Sequence, residues 1–460
     1  VILAYRGVML HRVRFLLRGL SYDLQKGLLA RPASITAGYL LLAIGMVTAE
    51  RRYPLLTQLA SRIAWLSHED AAASQLILAT IAGSMMTTVS VVLSVLIMAL
   101  SLASLQFSPR VLRGFMGDRP TQNTLGIFGG TFVYCLIVLR TVQGEPEPFV
   151  PAASVTVAIV LAVCALAWLV YFIHHIGQGI HASHLVDRIA RETVVIIDEE
   201  FPLEVGRADS HPEETGPPPP TPDGAAVVEA NDSGYVQLVN RERLLELARD
   251  HDVVFYQEHG IGEFAVQGNP LISVMPAERL TPRLAAECAE CFDLGELRTM
   301  QQDVHFGLRQ IVDMALKAIS PAINDPSTAC TCIDHLAGIL CHLARRRILP
   351  LEMRDEATGK LLMVRHAVTF QSSVDLAFNQ LRQYGRGDMA VTLRMMRALT
   401  EIALATDHPP HQDRALHHAE LLVAGLNTAF LEADKHELDA RLATLRQRVL
   451  AKRNQGVERA

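Results

Sequence analysis

"GSMMTTVSVVLSVLIMALSLASLQF", residues 83–107, holds no Asp, Glu, Lys, Arg or His, yet hydroxyls recur at Ser84, Thr87, Thr88, Ser90, Ser94, Ser101 and Ser104. The charge-free run extends from residue 71 to 109, 39 residues in all. As one helix it would reach roughly 58 Å, well beyond a bilayer core of about 30 Å. Such a helix must tilt, break, or project past Ser101. Ser84, Thr87, Ser94 and Ser101 are spaced by three or seven and so form one stripe. Two readings of that stripe stand. In the first, the hydroxyls bond to carbonyls of their own helix and face neighbouring helices, the common behaviour of Ser and Thr in membrane spans. In the second, they line a water-filled path through an oligomer. No ionisable group sits within the run, which weakens a proton relay or ion-coupled transport more than a passive pore.

Three further segments lack charge: 32–49, 120–139 and 148–173. Each is long enough, the first barely, to cross a bilayer as a helix, since backbone groups in lipid must bond within the segment. The expectation is a membrane domain of four transmembrane helices over 32–176. Residues 1–31 carry Arg6, Arg12, Arg14, Arg18, Lys26 and Arg31 against Asp23, interleaved with Leu, Val and Phe. That pattern reads as a basic helix lying on anionic lipid. It lacks the apolar region and small-residue site of a cleavable signal. Arg110, Arg113 and Arg119 follow the second span, whereas the 143–148 loop has only Glu145 and Glu147. The Lys/Arg bias places both termini in the cytoplasm, with Arg51, Arg52 and Arg62 in mild dissent. In the third span Gly126 and Gly130 are four apart and allow close helix packing. Gly83 and Ala82 are the expected opposite surface.

The fourth span runs into "YFIHHIGQGIHASHLVDR", residues 171–188. His174, His181 and His184 fall within one arc of a helix. Histidines meeting headgroups, a pH-sensing helix and a metal site are the three readings. The spread and the missing carboxylate disfavour metal, so no metal or other cofactor is expected. Residues 177–230 are read as a juxtamembrane helix and a Pro-rich acidic linker, "PLEVGRADSHPEETGPPPPTPDG" at 202–224.

The remainder reads as a cytosolic α+β region. Over 231–282 alternation and Gly turns predict strands at 235–239, 253–257, 263–266 and 271–275 around a helix at 241–250. "GEFAVQGNPLISV" resembles the half-motif of barrel-sandwich hybrid modules, which implies a small β-rich, barrel-like unit. The carriers of that type attach their cofactor to a lysine, and residues 227–282 contain none. From 284 the chain is read as a helical domain, with helices near 294–319, 351–384, 388–406 and 410–452. Between them, "SPAINDPSTACTCIDHL" ends one helix at Pro321 and caps another at Asp325–Pro326. Asn324, Asp325, Ser327 and Thr328 also make a candidate turn for an anion or a protein partner, although capping alone accounts for them.

The chain is 50% hydrophobic with net charge −6, and its mean hydropathy is +0.22. That charge gives no case for nucleic acid. Seven cysteines, two of them in spans and two in "CAEC" at 288–291, make no disulfide framework. No Gly-rich nucleotide loop, H-E-x-x-H or G-x-S-x-G is present.

The phrases "TIAGSMMTTVSVVLSVLIMALSLASLQFSPRVLRGFMGDRPTQNTLGIFGGTFVYCLIVLRTV", "FVPAASVTVAIV", "VYFIHHI", "SGYVQ" and "ALKAISPAINDPSTACTCIDHL" occur here in that order. In this the chain resembles a bacterial predicted-membrane-protein family catalogued as domain of unknown function 2254. The resemblance implies an inner-membrane protein with a cytosolic C-terminal half. It implies no activity and assigns no residue a role. The working expectation is a non-enzymatic homo-oligomer with a passive channel lined by the second span. A membrane scaffold or signalling adaptor with a cytosolic protein partner is the alternative.

Overall fold

The structure, a computed structural model, describes residues 30–52, 71–106, 119–143, 149–179, 182–201, 219–346, 348, 350–355, 357–366, 368–426 and 430–459. The expected basic helix over residues 1–31 lies almost wholly outside them, as does most of the Pro-rich linker. The chain divides into two compact units, Val1–His181 and Ala182–Ala460.

In the first unit four helices are long and apolar enough to cross a membrane: α1 (Ala30–Arg52), α2 (Ala71–Gln106), α3 (Arg119–Thr141) and α4 (Ala152–Gly179). α2 runs unbroken for 36 residues, about 54 Å. α3 is the hub and packs on the other three. Ala43, Val47, Leu78, Ala82, Tyr134, Cys135, Val138 and Val155 form one buried layer, and Met85, Phe128 and Ala165 form a second. Val92, Leu96, Phe172 and Ile176 make a third between α2 and α4. The outer faces are apolar too: Leu41, Leu76, Val163, Leu166 and Val170 are all at least 60% exposed. In water such a surface would aggregate, whereas in lipid it is solvated.

The glycines of α3 do not meet α2. A Cβ on Gly126 would lie 2.8 Å from Ile35 Cβ, and one on Gly130 would lie 2.7 Å from Tyr39 Cγ. Both therefore seat α1. Ala82 is buried against α3, but a Cβ on Gly83 would meet only open space. The expected pairing with Gly83 is thus corrected: the first span takes the close approach, because Ile35 and Tyr39 are also four apart and fill the two notches.

The second unit is α+β. It opens with α5 (Ala182–Glu200), which packs on α8 (Val304–Ala318) and α9 (Pro326–Leu343). The juxtamembrane helix read from the sequence is thus part of this unit's helical core. Two sheets follow. β1 (Ala226–Glu229), β3 (Val254–Gln257) and β5 (Pro270–Met275) join β7 (Glu352–Arg354) and β8 (Leu361–Val364) in the order β1-β5-β3-β8-β7. β3 and β8 pair in parallel, Phe255 opposite Met363, and the other pairs are antiparallel. β4 (Phe264–Ala265), β2 (Gly234–Val239) and β6 (Phe292–Gly295) form a three-stranded sheet. Helix α6 (Arg241–His251) covers β3 and β8, and α7 (Pro282–Ala289) covers β1.

Neither sheet closes, so the barrel-like module is corrected to two open sheets. The strands also continue past residue 282. The segment read as helical from 284 supplies β6, β7 and β8, and the helix expected over 351–384 is β7, β8 and then α10 (Phe370–Gly385). Short strands such as "LLMV" are apolar without alternation, a pattern that periodicity does not separate from a helix. α11 (Met389–Ala405) matches its expected span. The helix expected over 410–452 is two, α12 (Pro409–Ala424), stopped at Gly425, and α13 (Glu432–Arg459).

Cys288 and Cys291 are buried in the sheet core, where burial pushes both thiols up to about 12. As thiols they pack like small apolar side chains and are poor nucleophiles.

A hydroxyl-lined face in the membrane unit

Along α2 six hydroxyls donate their protons to carbonyls four residues back, whereas Ser74 Oγ is buried with no hydrogen-bond partner. Thr80 bonds Leu76 O at 2.7 Å, Ser84 bonds Thr80 O at 2.8 Å, Thr87 bonds Gly83 O at 3.0 Å, and Ser94 bonds Ser90 O at 2.9 Å. Thr88 and Ser90 do the same. The donors are satisfied within the helix, while the oxygen lone pairs face outward as acceptors.

Ser84 and Thr87 line a groove of about 750 Å³ together with Thr80, Gly83, Thr88 and Val91 of α2 and Leu169, Phe172 and Ile176 of α4. Ser94 and Ser101 do not line it; both are exposed on α2. The structure therefore places two of the four stripe residues in the groove and two beyond it. Thr80, which lies before the quoted stretch, extends the stripe by about one turn. Thr80, Thr87, Ser94 and Ser101 recur every seven residues, and Gly83, Ser90 and Ile97 follow three after each of the first three. All seven are exposed in the single chain. From Thr80 to Ser101 this seam spans about 32 Å, the thickness of a bilayer core.

Glu50, just past the charge-free part of α1, is a residue the sequence reading did not single out. It is 3% exposed. Its carboxylate accepts from Ser154 N and Ser154 Oγ, each at 2.6 Å, and from Ala153 N at 3.3 Å. These are groups of the first turn of α4, so Glu50 caps that helix from another one. Tyr134 Oη donates to Ser154 O at 3.1 Å from the adjoining α3. Its signal in the sequence was a lone acid at the end of an apolar span, followed by an α4 start without an Asp or Asn cap.

Of the histidines, His174 lies exposed on α4 and His184 exposed on α5, in different units, and His181 lies outside the described residues. Among the described residues no group of three or more His, Cys, Asp or Glu side chains is placed to hold a metal ion.

The Asn324 turn adopts the left-handed φ of +50°. Asp325 caps α9, its Oδ1 accepting from Thr328 N at 3.1 Å and its Oδ2 from the Thr328 hydroxyl. These bonds hold its carboxyl below the usual range. The carboxylate already fills the position an anion would take, and Ser327 remains exposed beside it.

A polar junction in the second unit looks catalytic at first sight. Asp303 caps α8 through Phe306 N at 2.8 Å and pairs with Arg298 at 2.9 Å through both Nε and Nη2. His305 Nε2 lies 3.1 Å from Ser373 Oγ. Yet Ser373 is fully buried and its hydroxyl donates to Thr369 O at 2.9 Å. The pair ties α8 to α10. Burial pushes His305 down from 6.5 to about 4, aided by the charges of Arg298 and His366. The folded unit therefore holds His305 neutral, whereas the unfolded chain protonates it near 6.5. The stability this confers is present above about pH 6.5 and is lost as pH falls toward 4, by about 3 kcal/mol. His418 on α12, 1% exposed and likewise pushed down by burial, acts in the same direction. Urea unfolding of the second unit between pH 7 and 4.5 should show this slope, and His305→Gln should flatten it.

Among known proteins, a family model described as "Predicted membrane protein" matches residues 25–401. Uncharacterized proteins of Mycobacterium bovis and Mycobacterium tuberculosis are 32% identical over 337 residues, 71% of this chain. The match spans 63% of the length of those relatives. No solved structure matches the chain. With four apolar helices of spanning length and a family match over most of its sequence, the chain belongs to the predicted membrane proteins of the DUF2254 family.

Proposed function

We propose that the protein works, without catalysis, as a homo-oligomer in the bacterial inner membrane, with both termini and the second unit in the cytoplasm. In this reading the α2 seams of neighbouring copies face one another and enclose a passive path for water or ions. The observation that carries it is the uncovered seam Thr80–Gly83–Thr87–Ser90–Ser94–Ile97–Ser101. A seven-residue repeat of side chains that are small at every position but Ile97 matches the left-handed packing of membrane helices. Outward-facing hydroxyl oxygens with committed protons supply acceptors to a water path. The second unit would assemble or gate the ring.

The internal bonding of six α2 hydroxyls favours a second reading, a scaffold whose seam only packs helices and whose cytosolic helices bind a protein partner. Ion flux from liposomes separates the two. Wild-type protein should conduct, and Ser94→Leu should reduce flux at least tenfold with the oligomer intact. An absence of flux under voltage, osmotic tension and a pH step would leave the scaffold.

A further inference from the structure

Three arginines converge on the C-terminal end of α5, and two of them have carboxylate partners. Arg346 bonds Asp198, which His342 also reaches at 2.6 Å. Arg241 bonds Glu200. The third, Arg365, follows β8 directly and is fixed there by its backbone N–H, which donates to Leu351 O at 2.9 Å. Its side chain is buried, with the residue 5% exposed, and its Nη1 has no hydrogen-bond partner. The charges acting on it are those of Arg241, which repels, and Glu200, which Arg241 already engages. Arg241 is also the first residue of α6, whose N-terminus carries positive partial charge.

A buried cation whose nearest carboxylate is already engaged by another arginine is among the costlier arrangements in a folded protein. Burial lowers the guanidinium to about 10, so it stays charged at neutral pH. A water molecule would satisfy Nη1 but supply no negative charge. The planar fork of an arginine is the chemistry that holds phosphoryl oxygens.

We propose that Arg365 and Arg241, at the start of α6, hold a small oxyanion of the phosphate class. The anion adds negative charge to that of Glu200, the one carboxylate acting on Arg365 among the described residues, and ties β8 to α6 and the end of α5. The site lies in the second unit and does not depend on the α2 reading.

Calorimetric titration of the full chain in detergent with inorganic phosphate, at constant ionic strength set by chloride, tests it. Wild type should bind one phosphate per chain, and its unfolding midpoint should rise with phosphate. Arg365→Lys, which keeps the charge and loses the fork, should weaken binding at least tenfold. Arg365→Met should abolish binding and unfold no earlier than wild type without phosphate, since it removes a buried charge. If Arg365→Met fails to fold, Arg365→Lys decides. No phosphate response in wild type, equal affinity in Arg365→Lys, or an equal response to chloride would overturn the proposal.

Discussion

Glu50→Ala is expected to destabilise the membrane unit by about 3 kcal/mol, the scale of losing charge-assisted hydrogen bonds at a buried helix start. Three donors at the beginning of α4 lose their acceptor together: Ala153 N, Ser154 N and Ser154 Oγ. Water is poorly placed to replace it, because Ser154 is fully buried. Glu50→Gln keeps an oxygen for Ser154 but gives up the charge that complements the helix dipole, and should cost about 1 kcal/mol. Unfolding by titrated denaturing detergent, followed by circular dichroism, measures both. Equal stability of wild type and Glu50→Ala would mean that α4 is held by its apolar face alone.

Gly130→Val is expected to separate α1 from α3 at a cost of about 3 kcal/mol, the upper range for overpacking a close contact. The new Cβ would meet Tyr39 Cγ at 2.7 Å and Cβ at 3.1 Å, within an aromatic ring that cannot yield by a small rotation. Tyr39→Ala in the same chain should restore much of the loss, because it empties the space that the valine enters. A double-mutant cycle read by the same unfolding measurement gives the coupling. Absence of coupling would show that the two helices do not approach at this point.

The membrane half was legible because its signal is coarse: charge-free runs of twenty residues leave few alternatives, and the four helices lie where those runs do. Partner choice was not legible. Gly126 and Gly130 announce a close approach, but nothing in their own helix says whether Ile35 and Tyr39 or Gly83 will fill it. In the second unit, strands such as β5 were readable from the Gly turns beside them. β8 was not, because "LLMV" is buried on both faces and carries no period. Asp325–Pro326 announced its helix through side-chain chemistry that acts within three residues. Arg365 gave no sign at all, since a charged residue after an apolar run ordinarily lies in solvent. Only the tertiary fold shows that Asp198 and Glu200 are already engaged by other arginines.

The parallel pairing of β3 with β8 also has a consequence for how the chain is made. β3 ends at Gln257 and its neighbour starts at Leu361, so one edge of β3 stays unpaired while the intervening hundred or so residues are synthesised. Non-local parallel pairing is slow to form, and an unpaired edge invites intermolecular association. A nascent chain halted before Leu361 would carry β1, β5 and β3 with that edge open. The second unit thus completes its five-stranded sheet late in translation, after all four apolar helices have left the ribosome.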